Sequence, residues 1–88
     1  MSHPAPAVGR IVHYVSYGTP GGEYTSQCRA AIVTAVNGRA IDPGTGGEAE
    51  AFDVALAVLN PTGMFFHEHC VQDEAHHNGG SWHWPERA

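Results

Sequence analysis

Asn60-Pro61-Thr62-Gly63 stands between two apolar runs, Phe52–Leu59 and Met64–Val71, and no other feature constrains the fold of this chain as much. Asparagine opens a type I turn well, proline presets the backbone of its second position and glycine suits its fourth. The alanines and leucines of 52–59 would tolerate a helix, but a proline and a glycine placed together would break it. The two runs are therefore predicted to be strands of one hairpin.

The same signals recur upstream. Arg10–Tyr17 is dense in β-branched and aromatic residues and reads as a strand, broken by Gly18-Thr19-Pro20-Gly21-Gly22, with a loop to about Cys28. Arg29–Val36 is a second strand, and Asn37-Gly38 is expected to stop it. The stretch 41–48 holds three glycines and a proline and reads as a loop. After the hairpin, the polar stretch 72–80 leads to a short last strand, Ser81–Trp84, ended by Pro85. Five strands with loops that are long, long, tight and medium imply an all-β fold, a small five-stranded barrel of Src-homology-3-like type. Residues 1–9 read as a flexible tail and 10–88 as a single barrel domain.

At 88 residues the chain is one domain, and small domains often lean on a metal, a disulfide or a partner. Four arginines, no lysine, nine carboxylates and a net charge of −5 offer no basic stripe for phosphates, so nucleic acid is not an expected partner. No apolar run approaches the roughly 20 residues of a membrane-spanning helix. The N-terminus carries neither a basic region nor an apolar one, so a secretory signal is not expected, and Cys28 and Cys70 are expected to be reduced thiols.

Five of the seven histidines fall between His67 and His83. In a strand, alternate residues share a face, so His67 and His69 are expected to point the same way, as two ligands of one ion would. Glu74, or a loop histidine such as His76, could close such a site around Zn²⁺. His-x-His-x4-Glu resembles half of the first metal motif of cupins. Cupins carry a glycine six positions before the first histidine, whereas Gly63 lies four before His67, and no second motif follows. His76, His77 and His83 could also fold back onto the hairpin. Cys70 could add its sulfur only through a twist or bulge in the strand. The alternative is that these histidines are solvated surface groups. No zinc-finger spacing is present. Cys70 beside His69 does not make a nucleophile pair, since neighbours in a strand face opposite sides.

Trp82 and Trp84 are expected on one face, partly in the core. With Tyr14, Tyr17 and Phe66 they make up an expected binding surface, by analogy with aromatic peptide grooves.

Four strings, namely 13–24 (HYVSYGTPGGEY), 28–34 (CRAAIVT), 59–66 (LNPTGMFF) and 82–86 (WHWPE), resemble a family of small uncharacterised proteins of actinobacteria, other bacteria and their phages. The resemblance spans most of 10–86. It implies a phage or prophage setting, with the protein in the host cytoplasm or the virion, but no activity. The preferred expectation is a non-enzymatic β-barrel that acts by binding a protein partner or itself, as a virion, assembly or accessory component. The alternative is a divalent-metal protein using His67, His69 and either Glu74 or a loop histidine, with a catalytic role left open.

Overall fold

The structure is a computed structural model that describes residues 4–17, 27–41, 46 and 48–85. Five antiparallel strands, β1 (Ile11–Val15), β2 (Cys28–Ile41), β3 (Glu48–Asn60), β4 (Gly63–Val71) and β5 (Trp82–His83), form one sheet in the order β4-β3-β2-β1-β5. The sheet curls into a half-barrel, and no helix occurs among the described residues. The expected hairpin is present: Pro61 and Thr62 form the turn, Asn60 faces Gly63, and Leu59 faces Met64. The glycine-rich segment 18–26 and most of the loop 42–47 lie outside the described residues.

Asn37-Gly38 bends the second strand instead of ending it. The β2–β3 register slips between Val33 and Ala35 and again between Val36 and Gly38. Gly38 takes a left-handed φ of 113°, which glycine adopts without steric cost, so the backbone bulges at Asn37 and pairing resumes at Gly38, opposite Asp53. Bulges sharpen local twist, and together with a further slip in β4 they bend the sheet toward closure.

One face of the curl is the core. Val12, Tyr14, Val33, Leu56, Val58 and Trp82 are buried there, as the alternation of the strands between their bulges places them. The edges meet at one corner: Gln72, just past β4, bridges to Trp82 in parallel, and Asp73 N donates to Trp82 O at 2.9 Å. The Trp82 indole donates to Phe52 O at 3.0 Å. Residues 4–9, read from sequence as part of a tail, run beside the sheet: Pro6 is buried, and Gly9 N donates to Val33 O at 2.8 Å. Trp84 meets Trp82 edge-on at 5.7 Å and donates from its indole to Pro4 O.

Candidate metal centre

The residues expected to form a metal site take three separate places. The β3–β4 register slips between Val54 and Leu56, so that His67 faces Leu56 while Cys70, three residues on, faces Val54. The extra residue in β4 reverses the alternation. His67 turns to the core side, its ring 5.6 Å from that of Tyr14. His69 turns outward, 71% exposed, with Nδ1 at 3.0 Å from Asp53 Oδ2 and 3.4 Å from the Asn37 amide. Glu74 is a bracket at the closing corner, where one carboxylate oxygen accepts both the Gln72 amide at 2.8 Å and the Trp84 N–H at 3.0 Å. The regular strand behind the His-x-His expectation is broken by the bulge, and the three residues do not converge.

The expected binding surface divides as well. Tyr14 and Trp82 are buried, and Trp84 is half-buried against the core with the Arg10 guanidinium over its ring. Tyr17 and Phe66 are exposed, 69% and 73%.

A donor cluster assembles at the other end of the sheet. His13, Cys28 and His83 come from β1, β2 and β5, and a ligand atom of each lies within 4.8 Å of the others. Val12 and Tyr14 point into the core, so His13 points out. β1 pairs His13 with His83 and Tyr14 with Trp82, so Trp82 in the core forces His83 to the outer face beside His13. Cys28, on β2, faces Val15 of β1, one step along the same face from His13. The imidazoles of His13 and His83 meet edge-on at 5.4 Å, and Cys28 Sγ is 3.8 Å from His83 Nε2.

A tetrahedral zinc ion with about 2.05 Å to nitrogen and 2.3 Å to sulfur spaces these donors by about 3.4–3.6 Å. Cys28 Sγ and His83 Nε2 at 3.8 Å are close to that spacing, and the widest separation in the trio, within 4.8 Å, would have to shorten by about an ångström around one ion. Two imidazoles and a thiol suit zinc, cobalt and copper, and suit magnesium and calcium poorly.

The segment Asp73–Gly80 covers this corner, leaving His83 buried, His13 half-buried and Cys28 exposed. Val15 N donates to Ser81 O and Gly80 N donates to Val15 O, tying the segment to β1. The Asp73 carboxylate accepts the backbone N–H groups of His76 and Asn78 at 3.0 and 3.1 Å. Partial burial raises the pKa of Asp73, but these two bonds and the nearby His76 and His77 outweigh it and hold the carboxyl below its ordinary value.

The second thiol belongs to the core. Cys70 is buried, donates to Gly80 O at 3.3 Å, and has its pKa pushed up to about 12 by burial and then by the charge of Asp53. It stays a neutral thiol, unsuited to ligation or nucleophilic attack. Both cysteines are free, as expected, and on opposite faces of the sheet.

His13 and Cys28 carry no local signature: fifteen residues separate them, and fifty-five separate Cys28 from His83. Only the pairing of β1 with both β2 and β5 makes them neighbours. No family model, curated protein or solved structure matches this chain.

Proposed function

We propose that the protein is a transition-metal-binding module whose ligands are His13, Cys28 and His83, with zinc as the ion that best suits the donors. The carrying observation is the convergence of three nitrogen and sulfur donors from three strands within 4.8 Å. Three protein ligands are the number found in zinc sites that keep a position for water or another ligand. A net charge of −5 adds a favourable field for a cation. The test is cobalt substitution of untagged protein. A thiolate-to-cobalt charge-transfer band at one equivalent, absent in Cys28→Ser, supports the site. Wild-type protein with no such band, and no bound metal by elemental analysis, rejects it.

A second reading rests on the outer face of the sheet. Register aligns Ile11, Ile32, Ala57 and Phe66 in one row, and His13, Ala30, Leu59 and Met64 in the next. Ile11, Met64 and Phe66 are well exposed, and neither row holds a carboxylate, lysine or arginine. Apolar patches of this kind mark contact surfaces. Our proposed occupant is a second copy of the chain, because a two-fold contact needs a self-complementary patch. An uncharged apolar face meets itself without opposing like charges. Sedimentation should give a dimer that Phe66→Asp dissociates, and a monomer at millimolar concentration would rule the contact out.

The half-barrel has the last strand paired to the first, each other strand paired to its sequence neighbour, and a tight turn between the third and fourth strands. These features support the finer reading of a Src-homology-3-like barrel.

A further inference from the structure

His77 lies outside the ligand trio yet is built against it. Its ring stacks on that of His83 with centroids 3.6 Å apart and planes 7° from parallel. Its backbone sits at φ 52°, the left-handed region, which costs a non-glycine residue on the order of 1 kcal/mol or more. The surrounding segment sustains that conformation. The carboxylate of Asp73 takes the N–H groups on either side of His77, and the Asp73 carbonyl takes that of His77 itself. Downstream, Gly80 lies so close beneath the Tyr17 ring that a Cβ there would collide with the phenol. The loop is thus fixed at both ends, with His77 held in a costly conformation and its ring laid flat on a ligand.

Two parallel rings at this spacing aim their nitrogen lone pairs side by side, so they do not converge on one ion. We infer that His77 is a positioning residue of the metal centre. Its ring fixes the plane of His83, keeping Nε2 turned toward Cys28, and shields that imidazole from water. The inference rests on the metal-binding reading above. Hydrogen-bonding partners that orient a metal-ligating histidine commonly contribute about 10- to 100-fold in affinity, and a stacked ring that fixes the same imidazole is taken at the low end of that range.

Cobalt titration of the full chain separates the roles through two variants. His77→Asn removes the ring while keeping a residue that accepts the left-handed backbone. His77→Phe keeps a ring to stack and removes both nitrogens. Positioning predicts an affinity at least about tenfold weaker in His77→Asn, measured well below its melting temperature. It also predicts recovery of most of that loss in His77→Phe, with the wild-type charge-transfer and d–d bands. Equal affinity in His77→Asn and wild type would overturn the inference. So would a His77→Phe protein as weak as His77→Asn with altered d–d bands, which would make His77 a ligand. A wild-type protein without the thiolate band would sink the metal reading itself, an outcome distinct from both.

Discussion

The two cysteines allow a sharp test, because the same chemical change acts on opposite sides of the sheet. Cys28 is exposed, so Cys28→Ser in metal-free protein should change stability by no more than about 0.5 kcal/mol. Cys70 is 1% exposed, so a hydroxyl there costs about 1–3 kcal/mol in the metal-free state. An ion that binds only the folded chain stabilises it by about 2.7 kcal/mol at a hundred times its dissociation constant. In a domain of this size 1 kcal/mol moves the melting temperature by about 4–8 °C, so zinc should raise it by about 11–22 °C. The assay is thermal unfolding with and without zinc, followed by circular dichroism, for wild type, Cys28→Ser and Cys70→Ser. Cys70→Ser should melt lower but keep the zinc increment, whereas Cys28→Ser should melt normally and lose it. An undiminished increment in Cys28→Ser would refute the reasoning and point to an ion elsewhere, with His69 and Asp53 the first alternative.

Native alkylation near neutral pH should label Cys28 alone, since a thiol with a pKa of about 12 is almost wholly protonated there, and zinc should protect that label. Rapid double labelling of the folded chain would contradict the burial of Cys70. Asp73 is more acidic in the folded chain than its ordinary 3.8, so its ionised form stabilises the fold above that pH. This contribution is lost as pH falls through the lower, folded value. Urea midpoints from about pH 5 to pH 2 should therefore fall less steeply in Asp73→Asn, and parallel curves would exclude the effect. Trp82→Ala should cost about 3–5 kcal/mol in urea unfolding and half-buried Trp84→Ala markedly less; equal losses would mean that Trp82 is not the core anchor described.

The strands and the tight hairpin were legible in the chain because their signals are local. β-branched and aromatic runs favour extended backbone, and Asn60-Pro61-Thr62-Gly63 turns it whatever the surroundings. The edges of the second strand were not legible. Asn37-Gly38 has the composition of a stop, yet β3 continues to pair beyond it, and a glycine that can end a strand can equally bulge it. The separation of His67 from His69 has another cause, with no glycine to signal it: one extra residue in β4 reverses the side on which every later residue falls, and only the pairing with β3 reveals it. The His13, Cys28 and His83 donor cluster lies at the far limit of what local pattern can carry. His83 is outward because Trp82 is inward, His13 is beside it because β1 pairs with β5, and Cys28 joins them because β1 also pairs with β2. Residue order encodes which side chains can bind metal. The pairing of β1 with both β5 and β2 decided which of them meet.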